Sequence, residues 1–134
     1  MKPLVTVLLV LTCTAAAFAA GTNFAGVTST DPQVLAGRVV DNLLSRDYML
    51  HGKKGLHYAE ACTAVGALRF ADKTNDAEMM KKIIARYEKF LDDDSILISR
   101  HSHVDHNVMG IVPFQIYLVN GDKRWLELGL SFAD

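Results

Sequence analysis

Cysteine is almost absent from these 134 residues, with Cys13 and Cys62 the two present. Cys13 lies in the apolar run from Leu4 to Ala20, which follows one positive residue, Lys2, and contains Ala17-Phe18-Ala19, the small-x-small pattern of a secretory cleavage site. We expect residues 1–19 to be a signal peptide removed before Ala20, because the run is too short and too rich in small residues for a good membrane span. Thr12 is a poor residue ahead of a lipidated cysteine, so no lipoprotein anchor is expected. Cleavage leaves Cys62 alone and excludes an intramolecular disulfide. Cys62 sits among Ala59, Ala61, Val65 and Gly66 on a predicted helix, where it reads as a small buried hydrophobe rather than a nucleophile.

Excess charge of either sign is also lacking. Fourteen Lys and Arg face fifteen Asp and Glu, for a formal net charge of −1. Losing Lys2 takes this to −2. No stripe of Lys and Arg with interleaved aromatics appears, which argues against nucleic acid as a partner. The resulting expectation is a periplasmic or secreted bacterial protein with no stable membrane insertion after cleavage.

What is present is helical patterning. Residues 20–30 are small and polar and read as a flexible leader. Asp31-Pro32 is a start signal, since the carboxylate can accept from an orphan amide and proline fits the first turn. Leu35, Val39 and Leu43, with Val40 and Leu44 adjacent, give the first helix an apolar face to about Ser45. A loop holding Tyr48 and His51 follows. The second helix is predicted from about His57 to Asp72, buried through Ala61, Ala64, Val65 and Leu68. Asn75 is the expected cap of a third helix running to about Leu91, with Met79, Ile83, Tyr87 and Phe90 as its inward stripe. Asp92-Asp93-Asp94 lacks the alternating ligands and glycine bend of a calcium loop and reads as a solvated helix end. Ser95 to Ser99 fits a strand or an apolar loop.

A fourth helix starts between Asp105 and Gly110, because Pro113 is tolerated near a first turn and costly deeper in. Its apolar sides are Val112, Ile116 and Val119, or Phe114 and Leu118. Gly121 ends it in a left-handed turn. Asp122 caps a fifth helix carrying Trp125, Leu126, Leu128 and Phe132.

Aligned with itself at an offset of about 46 residues, the chain places His57 on His103, Tyr58 on Val104, Leu68 on Phe114, Asn75-Asp76 on Gly121-Asp122, and Met79-Met80 on Trp125-Leu126. Each unit is one helical hairpin. An all-α array of hairpins is therefore expected over residues 31–134, with apolar faces that continue past the five helices counted.

The segment His101-Ser102-His103-Val104-Asp105-His106 admits two chemistries. Its H-x-H-x-D-H spacing is that of metallo-β-lactamase-like zinc hydrolases, in which the metal lowers the pKa of bound water. Those sites also take ligands from well downstream, and no histidine follows His106. The hairpin pattern instead makes Asp105 the start of a helix, where an aspartate is commonly a cap.

His103-Val104-Asp105, then Val108-x-Gly110-x-Val112-Pro113, Ile116-Tyr117, Asn120-Gly121-Asp122-Lys123-Arg124-Trp125-Leu126 and Phe132-Ala133-Asp134, resemble the unsaturated glucuronyl and rhamnogalacturonyl hydrolases of glycoside hydrolase families 88 and 105. The resemblance covers about residues 30 to 134. It implies a six-hairpin (α/α)6 barrel, of which this chain would carry the signal and the first five or so of twelve helices. It also implies an unsaturated oligosaccharide substrate and calls for neither cofactor nor metal. In that family an aspartic acid protonates C4 of a 4,5-unsaturated uronic acid, water adds at C5, and the hemiketal opens to expel the remaining sugar. Such a proton donor needs a raised pKa, supplied by partial burial and a second carboxylate. Asp105 matches the family's first active-site aspartate, which helps to bind and polarise the ring. Tyr58 matches an aromatic position that lines the same pocket, and among the loop histidines His101, His103 and His106, His103 is the one expected at the pocket edge as a substrate-binding residue. The principal acid/base aspartate belongs to a later motif, so these residues alone are expected to be inactive. A non-catalytic helical-repeat binding module is the other reading of the same repeat.

Overall fold

The computed structural model describes residues 30–51, 55–92 and 104–133. The expected signal peptide, nearly all of the leader, Asp93, Asp94, the Ser95 to Ser99 segment, His101 and His103 lie outside these residues. The described chain is all-α: α1 (Pro32–Ser45), α2 (Tyr58–Thr74), α3 (Ala77–Tyr87), α4 (Val104–Asn107), α5 (Ile111–Asn120) and α6 (Lys123–Leu130). Short 3-10 turns extend α3 over Glu88–Leu91 and join α4 to α5 over Val108–Gly110. No described helix is long and apolar enough to cross a membrane.

Local chemistry sets the helix ends. Asp31 caps α1 by accepting from the Gln33 amide at 2.8 Å, with Pro32 in the first turn. The turn between α2 and α3 divides its labour differently from the sequence expectation. Asn75 terminates α2 in the left-handed region at φ 53°, and Asp76, not Asn75, caps α3 by accepting from the Met79 amide at 2.9 Å. Asparagine tolerates positive φ better than most residues, which frees the neighbouring carboxylate for the cap. Gly121 (φ 71°) and Asp122 repeat this division between α5 and α6, as expected. Pro113 is the third residue of α5, where its missing amide breaks no intrahelical bond.

The two hairpins, α2 with α3 and α5 with α6, lie side by side with α2 packed on α5. The Arg69 side chain donates to Gln115 at 3.3 Å, and the two residues stand 46 apart, one repeat unit. Helix α1 packs on α2 and also touches α3. A single core joins them all, with Leu43, Leu68, Ile83, Tyr87, Ile116 and Trp125 fully or almost fully buried. Within the second hairpin the helices approach closely at Gly129, where an added Cβ would lie 2.8 Å from the Phe114 ring.

Three details of the expected faces change. Val39 is 53 % exposed, and the buried positions of α1 are Val40 and Leu43, so its inward face is rotated from the Leu35-Val39-Leu43 line. On α5 the buried line is Val112, Pro113 and Ile116, while Leu118 and Val119 are exposed. Cys62 is exposed rather than buried. Ala61, Ala64, Val65 and Leu68 take the inward side of α2, which turns position 62 outward into a groove beside α1.

Candidate functional site

The N-terminal end of α2 is built around a buried carboxylate. Glu60 has no solvent exposure. Its Oε2 accepts from Arg46 Nη1 at 2.8 Å and from the Met49 amide at 3.2 Å. Its Oε1 accepts from the Tyr87 hydroxyl at 2.9 Å and from Arg86 Nη2 and Nε at 3.2 and 3.3 Å. Arg86 Nη1 also donates to the Arg46 carbonyl at 3.0 Å. Five donations to one carboxylate and two cations beside it replace the water lost on burial. Burial holds the Tyr87 phenol well above the usual tyrosine range, and the Glu60 charge beside it pushes the same way. Tyr48 is also raised, chiefly by burial, although the neighbouring Arg86 opposes this. The Tyr48 hydroxyl donates to the Arg86 carbonyl, and the Arg86 guanidinium lies 4.2 Å from the centre of its ring.

This network positions the loop after α1. With the loop pinned to Glu60 through the Met49 amide, the Met49 carbonyl accepts from the His57 amide at 2.8 Å, and Leu50 pairs with Leu56 in an isolated antiparallel bridge. The His51 amide then donates to the Gly55 carbonyl at 3.1 Å. His51 thereby comes to stack on His57, with ring centres 5.7 Å apart.

His57 caps α2. Its Nδ1 accepts from the Ala59 amide at 3.1 Å, which in the neutral ring leaves the proton on Nε2. Tyr58 follows as the first helical residue, 46 % exposed, its ring centre 4.3 Å from that of His57. His106, on α4, completes the group edge-on to His51 at 5.9 Å. It also lines a narrow apolar pocket between the hairpins, with Leu56, Tyr87, Met109, Trp125 and Phe132 among the other walls.

Of the residues singled out in the sequence, Tyr58 lies in this group and Asp105 adjoins it, half-buried in α4 beside His106. His103 lies outside the described residues. The group holds three imidazoles and a phenol, which together can donate to and accept from hydroxyl and carboxylate groups and offer an aromatic face. Among the described residues, no group of three or more His, Cys, Asp and Glu side chains is arranged to hold a metal.

Glu60, Arg46, Arg86 and His51 were not identified as partners from the sequence. One signal was available for Glu60: it is a lone charge in line with Ala64, Ala67 and Ala71 on an otherwise apolar helix face. Comparison with protein-family models, with curated proteins and with solved structures gives no significant match.

Proposed function

We propose that this chain is the N-terminal part of a secreted glycoside hydrolase acting on unsaturated uronyl oligosaccharides, its hairpins opening an (α/α)6 toroid. The observation that carries this reading is the gathering of His51, His57, Tyr58 and His106 at the start of α2 and on α4, where Asp105 is the residue before His106. A toroid of hairpins places its pocket at one end of its inner helices, and α2 and α5 occupy equivalent places in the repeat.

In this reading Tyr58 stacks on a sugar face and Asp105 and His103 bind and polarise the unsaturated ring. A second carboxylic acid, from a later motif, delivers the proton to C4. Water then adds at C5, and the hemiketal opens to a 4-deoxy-5-keto uronic acid as the remaining sugar is expelled. Glu60 is not that acid, because all its accepting capacity is taken by the two arginines, Tyr87 and the Met49 amide. Its role is to hold the loop that carries His51.

One observation favours a second reading, a non-catalytic carbohydrate- or protein-binding repeat module: the fully buried carboxylate is saturated, and the exposed Tyr58 beside His57 suits ligand stacking without chemistry. The test is the ultraviolet absorbance of the substrate's conjugated double bond. The product of the whole reading frame containing these residues is expected to abolish it on incubation with an unsaturated uronyl disaccharide. Saturable binding with unchanged absorbance favours the module instead.

A further inference from the structure

We infer that His57 is an acid-released cap: the first turn of α2 and the rings gathered on it hold together while this imidazole is neutral and separate when it takes a second proton. The inference rests on the bonding of the His57 ring and not on the proposed chemistry.

An N-cap is ordinarily Ser, Thr, Asp or Asn, whose oxygen accepts an orphan amide throughout the neutral and mildly acid range. In α2 the acceptor is a ring nitrogen, His57 Nδ1, 3.1 Å from the Ala59 amide nitrogen. A neutral imidazole accepts at one nitrogen and donates from the other, so the proton sits on Nε2 and a second proton can go only to Nδ1. Once it is there, the ring has two donors and no acceptor. The Ala59 amide then faces an N–H, and the bond cannot persist. The charged ring would also stand at the positive end of the α2 dipole.

The surrounding rings depend on the orientation that this bond fixes. His51 stacks on His57 at 5.7 Å with an interplanar angle of 22°, and Tyr58 lies 4.3 Å away on its own helix. His106 joins the group through His51, edge-on at 5.9 Å. A His57 ring that swings off the Ala59 amide leaves both of its ring partners. The change stays local, because the loop remains tied to Glu60 through the Met49 amide.

The charged groups around the ring come from every element packed there. Beneath it, Arg46 from the end of α1 and Arg86 from α3 bracket Glu60, two cations against one anion, with the Tyr87 phenol beside them. The loop adds Asp47, which is exposed, and α4 adds His106 with Asp105 as the residue before it. Lys53, Lys54, His101 and His103 lie outside the described residues. Histidine is the side chain that ordinarily changes charge between about pH 5 and about pH 8. The capped state excludes a second proton that the unfolded chain accepts, so the stabilisation from this bond is present above that range and is lost as pH falls through it.

The test compares wild type with His57→Asn by urea denaturation of the full chain at about pH 8 and at about pH 5. Asparagine keeps an oxygen acceptor at the cap and gains no proton, while every other titrating group is common to the two proteins. Relative to His57→Asn, the folded-to-unfolded ratio of wild type is expected to fall about fivefold between the higher and the lower pH, the loss that goes with one N-cap. NMR of the imidazole nitrogens is expected to show the His57 proton on Nε2 at the higher pH. If His57→Asn does not fold, His57→Ser supplies the same kind of acceptor. A His57 ring protonated on Nδ1 at the higher pH overturns the inference, as does a pH dependence equal in wild type and variant, or a wild type that gains on the variant in acid.

Discussion

Glu60 and Arg86 meet across the α2/α3 hairpin, the carboxylate Oε1 lying 3.2 Å from Nη2 and 3.3 Å from Nε of a guanidinium 26 residues away. Because the same carboxylate also holds Arg46 and the Met49 amide, one side chain ties α1, the following loop, α2 and α3 together.

Removing that anion strands two guanidinium groups, of which Arg86 is only 10 % exposed. Glu60→Ala is expected to cost about 3 kcal/mol, the low end for breaking a buried pair from one side. Urea denaturation measures it. A loss below about 1 kcal/mol would mean that water replaces the carboxylate without penalty.

Tyr87 gives the same network a signature at high pH. Its phenol titrates above the ordinary 10.0, first because it is buried and second because Glu60 is beside it. The folded state therefore favours the protonated phenol. That stabilisation is complete below the unfolded value, near pH 10, and is lost as pH rises above it, by up to about 1.4 kcal/mol per unit. Tyr48 acts with the same sign. Stability measured between about pH 9 and about pH 11 should fall more steeply in wild type than in Tyr87→Phe. Equal slopes would remove Tyr87 as the source.

The two inter-helix turns should respond differently to substitution although they share a geometry. Gly121→Ala forces a Cβ into φ 71° and is expected to cost about 1 kcal/mol. Asn75→Gly relieves the same conformation at φ 53° and is expected to be close to neutral. Asp76→Ala removes the α3 cap and should cost about 1 kcal/mol. Thermal unfolding of the three variants checks the order.

The helices were legible in the sequence because their signals are local. Asp31-Pro32, Gly121-Asp122 and the Ile83-Tyr87-Phe90 stripe each work within a turn or two, and the structure uses them as expected. The repeat was legible too, because Asn75-Asp76 and Gly121-Asp122 stand 46 residues apart and each pairs a left-handed helix stop with an aspartate cap. The Asn75-Asp76 assignment slipped by one residue because both side chains can cap and only the backbone angle separates them. Cys62 looked buried amid small residues, but periodicity alone does not say how far around α2 its neighbours reach.

The site was less legible than the fold. Tyr58 and Asp105 were proposed through the family resemblance, whereas His51 and His106 meet only through tertiary packing, held by a loop whose anchor, Glu60, has partners 11 to 27 residues away. No local motif encodes such a cluster. Its one trace in the sequence is a charge where an apolar residue would ordinarily stand.

The most direct test of the account is the rate at which the product of the whole reading frame consumes an unsaturated uronyl disaccharide, compared with its Asp105→Asn variant. The account predicts turnover in wild type, a loss of at least about 100-fold in the variant, as for the removal of a positioned active-site carboxyl group, and no turnover by these 134 residues alone. Equal rates in wild type and Asp105→Asn, or no consumption by either, would contradict it.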